Sequence, residues 1–167
     1  MPIAVRLCWR RPVKQGSASG KQVLAVASGG GHWVQLLRLR PAFDGHNVTY
    51  VTVRRDYQAD VEDAPLRVVN DATRCNRLGL VLTSLQLLWI LLRIRPDVVV
   101  STGAAPGYLA IRMSKWFGAR TIWLDSMANV ERLSLSGERV GRYADVWLTQ
   151  WPHLARPGGP RFAGAVL

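Results

Sequence analysis

The feature that most constrains the fold is a regular alternation of short apolar segments with helix-forming stretches. The apolar segments are typical of β-strands and occupy residues 23–27, 47–53, 66–69, 97–101, 121–124 and 146–149. The helix-forming stretches between them are 33–39, 78–94, 108–117 and 137–143. Strands that are apolar on both sides need cover on both sides, and strands joined through helices run parallel. The sequence therefore predicts an α/β fold: a Rossmann-like parallel sheet with helices on both faces.

The composition fits one globular domain with a basic surface. The chain has 167 residues, of which 49% are hydrophobic and 20% charged, which excludes intrinsic disorder. A net charge of +11 indicates an anionic partner, which is nucleic acid, an anionic membrane surface or a phosphorylated substrate. The tryptophans form no cluster with basic residues, so we expect no nucleic-acid partner. Cys8 and Cys75 lack metal-binding or redox spacing and favour a reducing cytoplasm.

The first 21 residues differ from the rest of the chain. They contain no acidic residue, end in a Gly- and Ser-rich stretch and carry five basic residues: Arg6, Arg10, Arg11, Lys14 and Lys21. No apolar run here has the length of a signal peptide. We expect a flexible basic arm at 1–21 and a single domain at 22–167. The arm either binds anionic lipid, at about 1 kcal/mol per basic residue, or is a leader without function.

A glycine-rich loop, Ser28-Gly29-Gly30-Gly31-His32, links the first predicted strand to the first predicted helix. Glycines allow backbone N–H groups to approach a ligand closely, and a helix N-terminus presents free donors and positive potential. The loop has neither the spacing of the dinucleotide fingerprint nor the Lys-Ser/Thr of a P-loop. It predicts a phosphate or pyrophosphate site, or else a turn that only packs strand against helix. His32 either transfers a proton or only hydrogen-bonds the loop.

Further candidate residues follow later strands. Gly103 and Gly107 precede another helix, where they either provide a second set of backbone donors or form a plain turn. Asp125 ends an apolar strand, where it either contacts sugar hydroxyls or caps a helix. Charged residues that can reach the same crevice, or lie on the solvated surface, are Asp71, Arg74, Glu131 and Arg132. Because ligands bind at the carboxyl ends of parallel strands, we expect these loops to face one crevice.

The stretch Leu78–Ile94 is apolar nearly all round, with a thin polar strip at Gly79, Thr83 and Gln86. Arginines flank it, and its place within the alternating pattern requires one side to pack on the sheet. The other side either faces a membrane or is covered by protein. Basic flanks favour a helix that lies in an anionic membrane surface over one that crosses the bilayer. We expect the membrane-facing residues to be Leu85, Leu88, Trp89, Leu92 and Arg93.

The run DSMANVERLSLSGERVGRYADVWLTQWP, residues 125–152, resembles a family signature. The family is the acceptor-side subunit of two-part GT-B glycosyltransferases, which includes oligosaccharide biosynthesis proteins of Alg14 type and bacterial PssD-like exopolysaccharide proteins. Other matching positions are Ser28-Gly29-Gly30, His32, Pro96-Asp97, Gly103, Pro106 and Gly164. The resemblance extends from about Val23 to the end of the chain.

The resemblance implies that the chain is equivalent to the N-terminal half of a GT-B glycosyltransferase. A separate donor-binding chain would hold a UDP-sugar, with N-acetylglucosamine or glucuronic acid as the sugar. This chain would bind a polyprenyl-pyrophosphate-linked acceptor at the cytoplasmic face of the inner (plasma) membrane, as a peripheral or monotopic protein. No metal or other cofactor is implied. An alternative is a non-catalytic membrane scaffold that recruits the catalytic partner.

The resemblance also implies roles for individual residues. His32 and Asp125 are the catalytic candidates, and Asp125 replaces the family's usual glutamate. The candidates for binding the acceptor and its pyrophosphate are Ser28, Gly29, Gly30, Gly31, Gly103, Gly107 and Asn129. Gln150, Trp151 and Pro152 would contact the partner. Many members have an N-terminal transmembrane helix; here the basic arm stands in its place, so membrane attachment would depend on Leu78–Ile94.

Overall fold

The computed structural model describes residues 20–61, 63–71 and 76–166. Its strands are β1 Gln22–Val26, β2 Asn47–Thr52, β3 Leu66–Val68, β4 Val98–Ser101, β5 Arg120–Leu124, β6 Val146–Thr149 and β7 Arg161–Phe162. Its α-helices are α1 Gly31–Arg38, α2 Arg77–Ile94, α3 Ala104–Ser114 and α4 Leu135–Val140. Short 3₁₀ helices occupy Arg40–Phe43, Arg55–Val61, Lys115–Phe117 and Pro152–Leu154.

The strands form one seven-stranded sheet in the order β3-β2-β1-β4-β5-β6-β7. Every neighbouring pair is parallel, which confirms the predicted sheet. The chain moves outward from β1 to β3 and then returns to place β4 on the other side of β1. The loops after β1 and β4 therefore diverge to opposite faces, and this point of a parallel sheet is where ligands bind.

The core has two layers because consecutive strand residues point to opposite faces of the sheet. Leu24 and Val26 of β1 pack in the layer covered by α2, α3 and α4. Val23 and Ala25 pack in the other layer, which α1 and two 3₁₀ helices cover. Helical cover on both faces agrees with the apolar character of both sides of the central strands.

The structure corrects several predicted boundaries. α3 begins at Ala104 rather than Tyr108, since Pro106 is tolerated in the first turn of a helix, and it continues into a 3₁₀ turn at Lys115–Phe117. α4 begins at Leu135 because the Ser134 hydroxyl accepts the Gly137 N–H at 2.8 Å. β7 was not predicted, since Arg161–Phe162 has two exposed residues and no apolar run.

Some predicted features lie outside the described residues. These are the arm except for its end at Gly20 and Lys21, both cysteines, and Arg74 of the loop before α2.

Candidate functional site

The loops after β1 and β4 are joined by a reciprocal pair of hydrogen bonds. The Nδ1 atom of His32 lies 2.9 Å from the Thr102 carbonyl oxygen, and the Thr102 hydroxyl donates to the His32 carbonyl oxygen at 2.7 Å. Gly103 has φ +139°, and a Cβ there would lie 2.5 Å from the imidazole Cε1. The two predicted loops therefore meet, and glycine at 103 leaves the space that the His32 ring occupies.

The contact with Thr102 assigns the protonation of His32. A carbonyl oxygen only accepts hydrogen bonds, so Nδ1 carries the proton in the neutral ring. The Nε2 atom then holds the lone pair. A half-buried imidazole in this tautomer is a proton acceptor whose orientation is fixed by the neighbouring loop.

The free backbone donors of the crevice are not the amides of Gly30 and Gly103 but those of the residues that follow them. The Gly30 N–H donates to the Tyr57 hydroxyl at 2.9 Å, and the Gly103 N–H donates to the Ser101 hydroxyl at 3.2 Å. Among the described residues, the amides of Gly31, His32, Ala104 and Ala105 make no hydrogen bond to a protein acceptor. These amides belong to the first turns of α1 and α3, where intrahelical partners are lacking. Two helix N-termini therefore present donors to one crevice.

Tyr57 and Arg54 belong to this site although the sequence analysis missed them. The Tyr57 ring stacks on Trp33 with 4.9 Å between centroids, and the Arg54 guanidinium lies 5.5 Å from the Tyr57 ring centroid. Arg54 also forms a two-point ion pair with Asp56, at 2.8 and 3.1 Å. Both residues directly follow β2, and the rule that places ligands at strand carboxyl ends could have found them.

The Arg54–Asp56 pair is exposed and perturbs both groups. The hydrogen bond from Arg54 lowers the pKa of Asp56, and the hydrogen bond to Asp56 raises the pKa of Arg54. Arg54 stays positively charged throughout the physiological range. It therefore provides a permanent cation at the rim of the crevice.

A cavity of about 460 Å³ opens at the ends of β1, β2 and β4. It is lined by Ser28, Gly29, Gly30, Val53, Arg54, Asp71, Ala104, Ala105 and Pro106. An arginine and helix-end amides suit a phosphate, whereas the carboxylate of Asp71 suits a hydroxyl donor. The cavity can thus hold a phosphorylated ligand that also carries hydroxyl groups.

Gly107 does not lie in the loop, contrary to its predicted role as a donor. It belongs to the first turns of α3 and is buried, and a Cβ there would overlap the Ser101 hydroxyl. Its function in the structure is to let α3 pack closely on β4. The unusual backbone is instead at Gly103 and at Ala104, which has φ 63° despite its Cβ.

Asp125 is buried, with 1% of its surface exposed, and its carboxylate accepts four hydrogen bonds. The donors are the Ser134 backbone at 2.9 Å, the Ser134 hydroxyl at 2.6 Å, and the Asn129 amide and Trp123 indole at 3.3 Å each. Both oxygens are therefore used by the chain itself. This geometry favours a positioning role for Asp125, and it ties Asn129 to the same loop.

Gln150 is also buried, with 2% exposed, so its side chain does not reach the surface where a partner would bind. Its amide donates to Gln35 at 3.1 Å and to the Asp125 carbonyl at 2.9 Å, and it accepts from Val166. Trp151 is half-buried, and its indole donates to the Met127 carbonyl at 2.9 Å. Pro152 is exposed. Of the predicted interface, Trp151 and Pro152 remain accessible.

The polar strip of α2 faces inward together with the core residues Leu87, Ile90 and Leu91, while other apolar residues of the helix face outward. Thr83 is buried and donates to the Asn70 carbonyl at 2.8 Å, while the Gln86 side chain accepts the Asn70 N–H at 2.7 Å. Leu85 and Trp89 are 58% and 56% exposed. Leu92 and Arg93 are exposed as well, but Leu88 packs partly against the core, which corrects its predicted position. By length and composition alone, Arg77–Ile94 is able to cross a membrane.

The described part of the chain contains no group of three His, Cys, Asp or Glu residues that could hold a metal ion.

Comparison with solved structures identifies the fold. MurG from Acinetobacter baumannii superposes with a TM-score of 0.68 at 13% identity, over 84% of this chain and 44% of MurG. A UDP-N-acetylglucosamine 2-epimerase from Rickettsia bellii gives a TM-score of 0.62 at 13% identity, over 80% of this chain and 40% of the epimerase. This chain thus spans less than half of either protein, and its fold is the Rossmann-like fold of GT-B structures.

Sequence comparison identifies the relatives. The rat protein named UDP-N-acetylglucosamine transferase subunit ALG14 is 27% identical, over 79% of this chain and 76% of the rat protein. The mouse protein of the same name is 26% identical, over 80% of this chain and 76% of its own length. The family described as "Oligosaccharide biosynthesis protein Alg14 like" matches residues 60–164, which is more than half of the sequence. The chain therefore belongs to the Alg14-like family of oligosaccharide biosynthesis proteins.

Proposed function

We propose that this chain is the membrane-associated, acceptor-binding subunit of a two-part glycosyltransferase. The enzyme transfers a sugar from a UDP-sugar to a polyprenyl-pyrophosphate-linked acceptor. The names of the mammalian relatives support a transferase subunit and favour N-acetylglucosamine over glucuronic acid as the sugar. The observation that carries the proposal is the fixed His32 imidazole beside two helix N-termini in one crevice.

His32 acts as the general base in this mechanism. Its Nε2 takes the proton of the acceptor hydroxyl while that oxygen attacks the anomeric carbon of the donor sugar. A new C–O bond forms as the bond between the sugar and UDP breaks, and UDP leaves with the electron pair. Attack from the face opposite the leaving group inverts the anomeric configuration. The Thr102 carbonyl holds the ring so that Nε2 is the atom available for this step.

The acceptor pyrophosphate occupies the cavity between the loops. The free amides at the starts of α1 and α3 donate to its oxygens, and Ser28, Gly29 and Gly30 line the cavity beside them. Arg54, which is paired with Asp56, presents its remaining guanidinium N–H groups at the rim. Asp125 and Asn129 shape the neighbouring loop rather than touch the reacting atoms.

The donor half is a separate chain. The cavity at the strand ends is one side of a cleft, and a donor-binding chain that docks on Trp151 and Pro152 would bring the UDP-sugar to it. Both residues lie beyond β6, at the same edge of the sheet as the crevice.

The outer face of α2 holds the chain on the cytoplasmic face of the membrane as a peripheral or monotopic protein. Leu85, Trp89 and Leu92 are exposed apolar residues, and the cation of Arg93 lies 5.6 Å from the Trp89 ring centroid. An exposed apolar face with flanking arginines suits the boundary between anionic headgroups and acyl chains. The lipid-linked acceptor would then be bound where it resides.

The test is sugar transfer by the chain purified with its donor-binding partner. We expect His32→Ala to lower kcat by about 10²- to 10⁴-fold, as removal of a general base does, without loss of the partner. His46→Ala is the matched control, since His46 is exposed and lies before β2, at the opposite end of the sheet. Full transfer by the folded His32→Ala complex would contradict catalysis here and support the scaffold alternative.

A further inference from the structure

A second, larger groove lies at the β3 edge of the sheet, away from the catalytic crevice. It has a volume of about 770 Å³ and lies between the 3₁₀ helix Arg55–Val61, strand β3 and helix α2. Its lining is Arg55, Gln58, Leu66, Arg67, Val68, Leu85, Gln86, Trp89 and Ile90. This volume is in the range of sites for small ligands, about 300–1,000 Å³. The proposed function makes no use of the polar part of this groove.

One part of the groove is basic. Arg55 and Arg67 are both exposed and both line it, and none of the described residues in its lining is acidic. The two lining glutamines are already engaged: Gln58 donates to the Val61 and Ala64 carbonyls, and Gln86 holds the Asn70 N–H. The two guanidinium groups are therefore the charged groups that the groove offers to a polar ligand. Planar guanidinium groups bind phosphate oxygens with two hydrogen bonds each.

The other part of the groove is apolar and continues onto the surface of α2. Leu85 and Trp89 line the groove and also belong to the outer face of α2. Leu66 and Val68 of β3 add apolar surface from the opposite wall. A ligand with an anionic head and an apolar tail matches both parts, and its tail would leave the groove along α2.

We propose that this groove binds the headgroup of one anionic phospholipid of the bilayer, with Arg55 and Arg67 on the phosphate and Trp89 and Leu85 against the upper acyl chain. The inference rests on the proposed membrane association of α2. It adds a specific lipid site to the outer face of α2, which would otherwise bind the membrane only through its apolar surface and its charge. Charge complementarity with the +11 chain favours an anionic over a zwitterionic lipid.

The test uses a lipid that is not part of a membrane. Dihexanoylphosphatidylglycerol below its critical micelle concentration is titrated into the full chain, and binding is followed by calorimetry and native mass spectrometry. We expect saturation at one lipid per chain. Each basic residue near a lipid surface contributes about fivefold to affinity, so Arg55→Gln with Arg67→Gln should weaken binding about 25-fold.

Two control variants separate a built site from general surface charge. Arg93→Gln removes a charge beside Trp89 outside the groove, and Arg161→Gln removes one at the opposite edge of the sheet. Both should bind the monomeric lipid as the parent does, whereas Arg93→Gln should weaken binding to vesicles that contain phosphatidylglycerol. Dihexanoylphosphatidylcholine should bind at least about tenfold more weakly than dihexanoylphosphatidylglycerol.

Several outcomes would overturn the proposal. Equal losses in the double variant and in both control variants would show general electrostatics, and equally tight binding of inorganic phosphate would show an anion site without lipid. Binding of an extended peptide, in place of the lipid, to the free edge of β3 would assign the groove to a protein partner. Sugar transfer to a short-chain acceptor in detergent should be unchanged in Arg55→Gln with Arg67→Gln. A lipid site that fails while transfer depends on His32 would leave the proposed function intact.

Discussion

The loops that follow β1 and β5 differ in how many of their polar groups are left without hydrogen bonds to the described chain. The loop after β1 holds His32 by Nδ1. Among the described residues, no protein donor bonds its Nε2 and no protein acceptor bonds two helix-end amides of this loop. The loop after β5 closes on itself, because Asp125 receives four donors from three residues of its own segment and strand. The first loop leaves polar groups free for a ligand, and the second uses its polar groups to keep its shape.

This difference teaches that position at the end of a parallel strand identifies a site but does not assign roles within it. Both residues satisfy the strand-end rule. His32 and Asp125 differ in whether the chain itself hydrogen-bonds their polar atoms. A buried carboxylate whose oxygens already accept hydrogen bonds from the chain has none left for a substrate. Substitutions in the two loops should therefore affect different properties.

The largest expected effect on stability comes from Asp125→Ala. It leaves the Ser134 N–H and the Trp123 indole N–H without their acceptor in a buried site, and it opens space in the core. We expect a loss of about 3 kcal/mol in the free energy of unfolding, measured by urea denaturation. Asp97→Ala is the matched control, because the exposed Asp97 accepts one backbone bond, from Gln22 at 2.9 Å. It should cost about 1 kcal/mol.

The same measurement on His32→Ala sharpens the contrast. That variant should lose about 1–2 kcal/mol, because the buried Thr102 carbonyl loses one hydrogen-bond partner, whereas Asp125→Ala removes the acceptor of four donors. A stable Asp125→Ala protein with no transfer activity would break the comparison and return Asp125 to the reacting atoms.

A pair of glycine substitutions compares the two loops directly. A Cβ at Gly137 would lie 2.5 Å from Asp125 Oδ1 and 2.8 Å from its Cγ, and a Cβ at Gly103 would lie 2.5 Å from the His32 ring. The carboxylate cannot move without loss of its donors, so Gly137→Ala should cost about 2 kcal/mol of folding stability. Gly103→Ala should displace the imidazole and lower transfer about as much as His32→Ala. Thermal unfolding and transfer rates of both variants test this.

The positive φ at Gly103 means that its alanine variant also carries backbone strain, about 1 kcal/mol. The informative quantity is therefore the ratio of activity lost to stability lost. If Gly137→Ala lost more activity per kcal/mol than Gly103→Ala, the assignment of roles to the two loops would be wrong.

Tyr57→Phe provides a smaller effect within the open loop. The Tyr57 hydroxyl accepts the Gly30 N–H, so its removal should cost about 0.5–1.5 kcal/mol while the stacking on Trp33 is kept. The freed N–H can then donate to a phosphate. We expect the KM for the acceptor to fall or stay constant while kcat is unchanged, as steady-state kinetics with the partner would show. A large loss of kcat would place the tyrosine hydroxyl on the reacting atoms.

The sequence was sufficient for the sheet and for the meeting of two loops at the ends of its strands. Buried strands are apolar, glycine-rich turns follow them, and the parallel topology brings their ends together, so the meeting of Ser28–His32 with Thr102–Gly103 was predictable. The bond from Gly30 to Tyr57 was not, because it joins residues 27 apart through a 3₁₀ helix with no periodic signal. Thr102 fixes His32 through its backbone carbonyl. Because any residue type provides a backbone carbonyl, this contact was not predictable either.

Helix α2 shows a second limit. A polar strip on an apolar helix normally faces water, but Thr83 and Gln86 face inward because the Asn70 backbone after β3 needs partners there. The strip faces inward because backbone groups of another segment need hydrogen-bond partners, and the sequence of the helix alone does not indicate this. The fate of Asp125 depends in the same way on Ser134, nine residues along the chain.

The smallest expected effect concerns Asp145, a carboxylate that is satisfied like Asp125 but partly exposed like His32. Partial burial raises its pKa, but the bonds from Lys115 at 2.7 Å and from the Thr121 backbone and hydroxyl outweigh this, and the pKa is lowered. A carboxyl with a lowered folded pKa stabilises the protein above its unfolded value, near pH 4. That stabilisation is lost as the pH falls through the folded pKa.

Asp145→Asn should therefore destabilise the chain by about 0.5 kcal/mol at pH 7, a value reduced because about a third of the side chain is exposed. The difference from the parent protein should shrink towards zero as the pH falls below about 4. Urea denaturation from pH 7 to pH 3 measures both quantities. A difference that stayed constant with pH would mean that the substitution acts through the shape of the side chain rather than through its charge. The hydrogen bonds that a carboxylate accepts would then determine its contribution to folding stability in this fold more than its exposure does.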